Sequence, residues 1–233
     1  HLYSNINNNY ASIVFISFFF FNYQNEMSSL KNILLQTISN CCHPMAMLTY
    51  GITFICFFTP MLILPLGIRM FMVLEVMFYT FVIPLLTIWL LYKLKVVSHW
   101  ALRKREDRKI PLIANLLCYI ACTFTVQYHG FVPAWGMCVF YGSTAVAIVS
   151  WIISFWWKIS GHALAVSGFT TIMWIYYFLF PGFVPLWMPF LGIILTGLVC
   201  SIRVYLGRHT LGQVYAGTAV GVALMWGAYE VMV

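Results

Sequence analysis

"VPLWMPFLGIILTGLVCSIRVYLGRHTLGQ", residues 184–213, changes character once along its length. Residues 184–200 hold no charged side chain, whereas 203–213 hold Arg203, Arg208 and His209, and a second apolar stretch, 210–229, begins at once. A helix rising ~1.5 Å per residue needs about 17–20 apolar residues to cross the ~30 Å hydrocarbon core of a bilayer. Inside hydrocarbon each backbone N–H and C=O must find its partner within the protein, and a helix provides one within a single segment. The stretch reads as two membrane-crossing helices joined by a short basic turn at the surface.

The same pattern recurs. Apolar stretches occupy 47–68, 71–92, 111–128, 133–155, 163–180, 184–200 and 210–229, broken at Gly67–Arg69, at the basic run 93–110, and at "HGFVP", "WKISGH" and "PGFVP". Pro60, Pro65, Pro84 and Pro189 fall within these stretches and are expected to kink helices rather than end them, since neighbouring helices re-satisfy the freed carbonyls. Of the 233 residues 63% are hydrophobic, against roughly 45–50% in soluble domains, and mean hydropathy is +0.91. The expected fold is all-α: a polytopic membrane protein of about six to seven transmembrane helices in one bundle, forming a single domain over 27–233. The chain opens on His1, and 1–26 combine "NINNNY" with a phenylalanine-rich run. That run is too short to span and lacks the basic start and small-residue cleavage site of a signal peptide. Residues 1–26 are therefore expected to be a non-native or disordered extension preceding a true start at Met27.

Composition also excludes functions. The net charge of +7 is clustered at segment ends rather than interleaved with polar surface, so nucleic acid is not an expected partner. The seven cysteines include no CxxC pair. Cys118 and Cys122, at i and i+4, have the spacing of metal ligands but sit in an apolar stretch, where small packing residues are the commoner reading. No disulfide, metal or cofactor is expected.

Counting crossings places the basic segments on one face. The run 93–110 follows the second span, "WKISGH" the fourth, and the opening turn the sixth. Of twelve Lys and Arg residues, ten gather there: Lys93, Lys95, Arg103, Lys104, Arg105, Arg108, Lys109, Lys158, Arg203 and Arg208. The other face offers Arg69 and His129. Retention of Lys- and Arg-rich loops in the cytoplasm accounts for the first cluster. It does not account for single cations at 158 and 203, each followed within a few residues by a histidine, His162 and His209. Cations and histidines converging from separate loops suit an anion. Phosphate is the natural candidate, because Arg pairs with it bidentately and His carries proton or phosphoryl chemistry. Lys158 beside Trp156 and Trp157 also fits an interfacial belt, and Arg208 fits a headgroup contact. His43, His99 and His129 are expected to be interfacial or packing histidines.

At these residues the chain resembles the type-2 phosphatidic acid phosphatase superfamily, whose signature runs Lys-x6-Arg-Pro, Pro-Ser-Gly-His and Ser-Arg-x5-His-x3-Asp. Arg203, five residues and His209 match the third block. Ile159-Ser160-Gly161-His162 match the second with Ile for Pro, and "RKREDRKIP" ends at Pro111 with Ile110 in place of the family's Arg. The resemblance covers about 110 residues, from 103 to 213. It implies an integral membrane hydrolase acting on a lipid phosphate or polyprenyl diphosphate, without a metal, in a lipid bilayer and expectedly in a bacterial inner (plasma) membrane. His209 would attack phosphorus, and His162 would protonate the leaving group and then activate water. Arg203 and one or two of Arg103, Arg105 and Arg108 would neutralise the phosphoryl oxygens, with the Ser160 hydroxyl and the Gly161 N–H donating to them; Lys158 is a further candidate cation of the phosphate site. It also places the site on the periplasmic, external or lumenal face, against the Lys and Arg count, and we follow the resemblance. The departure is Gln213, where the family has Asp. A residue four positions on shares a helix face with His209, so Gln213 is expected to orient the ring without supplying charge; Glu106 or Asp107 could supply it instead. The same residues would serve a lipid phosphotransferase, and Gln213 keeps open a non-catalytic lipid-phosphate binder or transporter. Gly217 and Gly221 continue the stripe of His209 and Gln213 and are expected to pack the last span centrally.

Overall fold

A proline costs a helix nothing in its first turn, where the N–H has no intrahelical acceptor, and most in its interior. That rule locates the helix ends at the start of the chain. The computed structural model describes residues 30–97 and 109–232. Helix α1 (Leu30–Cys41) is followed by α2 (Pro44–Phe58), with Pro44 in the first turn and His43 as its cap, Nδ1 accepting the Met45 N–H at 3.3 Å. The two helices meet at a bend of 53°. Helix α2 stops at Phe58 because Thr59 is extended, donating from Oγ1 to the Ile55 carbonyl at 2.6 Å and accepting Met61 N–H ahead of the 3₁₀ turn Pro60–Ile63.

The next helix, α3 (Leu66–Met77), starts directly after Pro65. The expected span 47–68 is thus corrected: Pro60 and Pro65 end helices, and the first crossing is α2, entered through α1. Helix α3 continues through a π turn, Phe78–Val82, into α4 (Ile83–Lys93), one run of 28 residues. Here Pro84 acts as expected. The widened turn just before it absorbs the clash between its ring and the carbonyl four residues back, and the helix continues. Then follow α5 (Lys109–His129), α6 (Ala134–Ile153), α7 (Gly161–Leu179), α8 (Trp187–Tyr205) and α9 (Leu211–Met232). Pro189 lies in the first turn of α8 and kinks nothing.

Among the described residues five helical runs are long and apolar enough to cross a membrane, or six if the bent α1–α2 pair is one span. Helix α9, with 22 residues, is also long enough to cross at ~1.5 Å per residue. The protein is an all-α integral membrane bundle. Its apolar excess is spent twice, on the core and on the lipid-facing wall, where Leu117, Phe124, Phe178 and Ile194 are exposed.

Helix α7 is the centre, packed against α2, α6, α8 and α9. Its contact with α9 is closest where the expected glycines lie. A Cβ on Gly217 would stand 2.9 Å from the Ser160 carbonyl oxygen, and one on Gly221 would overlap Ser167 Oγ and the Leu164 carbonyl. Hydroxyl pairs bridge neighbouring helices: Thr123–Thr144 at 3.0 Å between α5 and α6, and Thr170–Thr196 at 2.9 Å between α7 and α8. Such pairs and small-residue faces do in lipid what apolar burial does in water. We expect Gly221→Val to force α7 and α9 apart and cost about 1–3 kcal/mol, read as a lowered melting temperature in detergent, whereas Gly227→Val, with nothing near its Cβ, should leave it in place.

The end holding residues 58–66 and 129–134 is tied by His129 Nδ1 against Glu75 Oε2 at 3.3 Å and by Arg69 donating to the Cys56 carbonyl at 3.4 Å. The expected opposite-face residues, Arg69 and His129, are therefore at one end together.

Candidate functional site

At the other end three breaks in the helices converge: the bend between α1 and α2, the entry to α7, and the turn from α8 to α9. The last is set by one glycine. Gly207 has φ +62°, a conformation open to residues without a Cβ. Around it Gly207 N–H donates to the Val204 carbonyl at 2.9 Å and Arg208 N–H to the Arg203 carbonyl at 3.0 Å. This pair is a Schellman termination, which closes the orphan carbonyls of a helix end. His209 N–H also reaches the Arg203 carbonyl, at 3.3 Å. The spacing of five residues between Arg203 and His209 is the length of this turn.

Helix α9 then starts with a capping box, Thr-x-x-Gln. Gln213 N–H donates to Thr210 Oγ1 at 3.4 Å, and Thr210 N–H donates back to Gln213 Oε1 at 3.2 Å. The same Oε1 lies 3.1 Å from His209 Nδ1. The expected contact is present, but not for the expected reason: His209 precedes the helix, and Gln213 meets it as the third residue of the cap. The box also decides the ring's protonation. The atom that accepts Thr210 N–H must be the amide oxygen, and an oxygen facing Nδ1 can only accept. Nδ1 therefore carries the hydrogen, and the lone pair sits on Nε2.

Ser160 caps α7, its Oγ accepting Ala163 N–H at 3.4 Å. The α7 and α9 starts are joined by Ser160 N–H donating to the Gln213 carbonyl at 3.3 Å, and Lys158 Nζ donates to the Arg208 carbonyl at 2.9 Å. From the α1–α2 bend comes Ser39, which accepts Arg203 Nη1 at 3.3 Å and whose backbone lies against the His162 ring. His43 meets His162 edge to face, with ring centroids 5.3 Å apart.

These groups surround a cavity of about 470 Å³. Its polar end is lined by His43, Lys158, Gly161, His162, Arg203 and His209, together with Gln36 and Asn40 of α1. Among the described residues its wall includes no carboxylate. The first-turn N–H groups of α7 add the positive end of a helix to the same region. The wall then follows α7 from Gly161 to Ile172, past Leu164, Gly168 and Phe169 with Met225 opposite, about 16 Å along the axis at ~1.5 Å per residue. The cavity is amphipathic: cationic and imidazole-lined at this end of the bundle, apolar toward its interior.

The expected site residues divide accordingly. His209, His162, Arg203, Lys158 and Gly161 line one cavity. Gln213 supports His209 from behind. Ser160 is fully buried and off the wall, so its place is that of a helix cap rather than of a ligand. Arg208 is off the wall too and offers its carbonyl to Lys158. Arg103, Arg105 and Arg108, with Glu106 and Asp107, lie outside the described residues. His129 sits at the opposite end. Comparisons with protein families, characterised proteins and solved structures return no match for this chain.

Helix α1, and the place of His43 on the cavity wall, are not among the sequence expectations. A signal was available: Gln36, Ser39 or Asn40, and His43 recur at helical spacing, immediately before a proline that favours a helix start.

Proposed function

We propose that the protein is a membrane phosphatase that hydrolyses a lipid phosphate or polyprenyl diphosphate through a phosphohistidine, as the resemblance to type-2 phosphatidic acid phosphatases implies, in a bacterial inner membrane. The observation that carries the reading is His209, held by Gln213 with its lone pair on Nε2, in a cavity shared with Arg203, Lys158 and His162. In the first step Nε2 forms a bond to phosphorus as the bond from phosphorus to the lipid oxygen breaks. Protonated with the phosphate anion bound beside it, His162 gives its proton to that oxygen. In the second step His162 takes a proton from water, the oxygen attacks phosphorus, and the phosphorus–nitrogen bond breaks to return His209 and inorganic phosphate. Arg203 and Lys158 offset charge on the phosphoryl oxygens, which is the main demand of phosphoryl transfer. An amphipathic cavity suits a substrate whose headgroup reacts while its tail stays apolar.

Gln213 in place of a carboxylate favours one second reading, a lipid-phosphate binder without turnover. Purified protein in detergent, given a lipid monophosphate, should release inorganic phosphate. Binding without release establishes the binder, and transfer to an added lipid alcohol establishes a phosphotransferase. Within the phosphatase reading, Arg203→Lys keeps the charge and loses the planar fork. We expect kcat to fall by roughly 10- to 100-fold with KM changed far less, the signature of an interaction made mainly in the transition state. Unchanged kcat and KM would remove Arg203 from the site.

A further inference from the structure

The proposed reaction uses the polar end of the cavity and leaves its deeper end unassigned. We propose that the deeper end takes the whole hydrocarbon tail of the substrate, so that the preferred substrate is the phosphate monoester of one straight chain of about ten carbons. The tail lies inside the bundle rather than in the surrounding lipid, and the cavity floor measures its length. This rests on the phosphate reading of the site above.

Among the described residues, Lys158 and Arg203 are the only Lys, Arg, Asp or Glu side chains on the wall, and both stand at the polar end. Below them six helices close around the space, with Leu48 of α2, Leu85 of α4, Tyr119 of α5, Ala147 of α6, Phe169 of α7 and Met225 of α9. The hydroxyl among these is already spent, since Tyr119 donates to the Pro44 carbonyl at 3.3 Å. Met225 is the floor. Its thioether fills the gap between α6 and α7: a Cβ on Gly142 would stand 2.7 Å from Met225 Sδ, and one on Gly168 3.6 Å from its Cε. Farther along α6 and α7 the core is closed, with Phe140 and Tyr176 fully buried.

Volume and length define the same tail. About 470 Å³ holds about fifteen groups of water or methylene size at ~30 Å³ each, of which a phosphate takes about five and leaves about ten. From Leu164 to Ile172 the wall runs about 12 Å along the α7 axis at ~1.5 Å per residue. An extended chain with C–C bonds of ~1.5 Å advances ~1.3 Å per carbon, which again gives about ten. A second tail exceeds the volume. A longer single tail meets Met225 before its phosphate reaches His209.

A series of straight alkyl phosphates from butyl to hexadecyl, with a two-chain phosphatidic acid beside it, tests the proposal. Phosphate release is measured in a steroid-based detergent, which offers no straight chain to compete. We expect kcat/KM to climb about 100-fold from butyl to decyl, as each buried methylene adds its transfer free energy. It should then fall about tenfold or more at hexadecyl and for the two-chain lipid. Two substitutions should move the maximum in opposite directions. Ala147→Phe projects a ring into the middle of the space and should shift it toward hexyl. Met225→Ala lowers the floor and should shift it to dodecyl or beyond. A weakened fold lowers rates at every length and creates no gain at a longer one. If one variant fails to fold, the other and the wild-type series decide. A tail left in the surrounding lipid gives rates that rise or level off through hexadecyl, with the two-chain lipid as good as decyl. That result, or a maximum that a folded variant leaves in place, overturns the proposal. If no phosphate is released at any length, the phosphatase reading fails, and the same series is read as stabilisation of the protein against heat. A maximum near decyl that the variants displace then keeps the tail pocket in a binder, and the lack of one removes it.

Discussion

Replacing His209 or His162 by alanine should abolish phosphate release, by roughly 10⁴-fold or more, while the protein still elutes as a folded species. The size follows from the proposed roles. Nucleophile and proton donor act as a unit, and removing either member of such a unit costs nearly as much as removing both. Folding should survive because neither ring holds the bundle together. His209 sits in the turn between α8 and α9, whose geometry is set by backbone bonds around Gly207, and His162 opens onto the cavity. His129→Ala is the control. It removes the contact with Glu75 at the far end of the bundle and should lower stability without lowering kcat. The decisive measurement is phosphate release per folded molecule for the three variants side by side. Equal loss in His129→Ala and His209→Ala would mean that the two ends of the bundle are not separate in function, and the assignment of the site would fall.

Much of this arrangement was legible in residue order, for a physical reason. The thickness of hydrocarbon imposes a length on apolar runs, and crossing parity then assigns each loop to a face. Lys158, His162, Arg203 and His209 were placed together by that count, and the structure brings them to one cavity. Gly217 and Gly221 were legible because close helix approach leaves no room for a side chain. The first crossing was not legible, because hydropathy does not register that Thr59 satisfies two backbone groups while Pro60 withdraws one. The strip from Thr49 to Ile68 is apolar on both sides of that break. Helix α1 was missed since its polar residues, Gln36, Ser39 and Asn40, dilute its hydropathy, yet these are the residues it brings to the site. His43 reads from sequence only as an interfacial or packing residue, because one histidine near an apolar run carries no further signal until its neighbour in space is known. That neighbour, His162, is more than a hundred positions away in the chain.

The second large effect concerns Gln213. Its Oε1 receives two hydrogens, from Thr210 N–H and His209 Nδ1–H, so one atom both caps α9 and fixes the tautomer of the proposed nucleophile. Gln213→Leu removes both acceptances. The cap should cost about 1 kcal/mol of stability. The tautomer should cost far more in rate, because a ring free to carry its hydrogen on Nε2 has no lone pair to attack with. Amide-for-acid changes at the comparable position of Ser-His-Asp hydrolases cost on the order of 10⁴ for the same reason, and we expect 10²- to 10⁴-fold here. Gln213→Asp should behave in the opposite way. A carboxylate accepts the His209 hydrogen at least as well, and it supports the positive ring of the phosphohistidine, which the amide does not. Activity should hold or rise. The acid limb of the pH–kcat profile should move to higher pH, since a carboxylate beside the ring favours its protonated, non-nucleophilic form. Gln213→Glu, with the reach that a capping box uses, separates the two functions: it should keep the melting temperature of the wild type and share the displaced pH profile of Asp. Leucine turning over as fast as glutamine would show that the contact at 3.1 Å has no part in the chemistry, and His209 would then have to be withdrawn as the nucleophile.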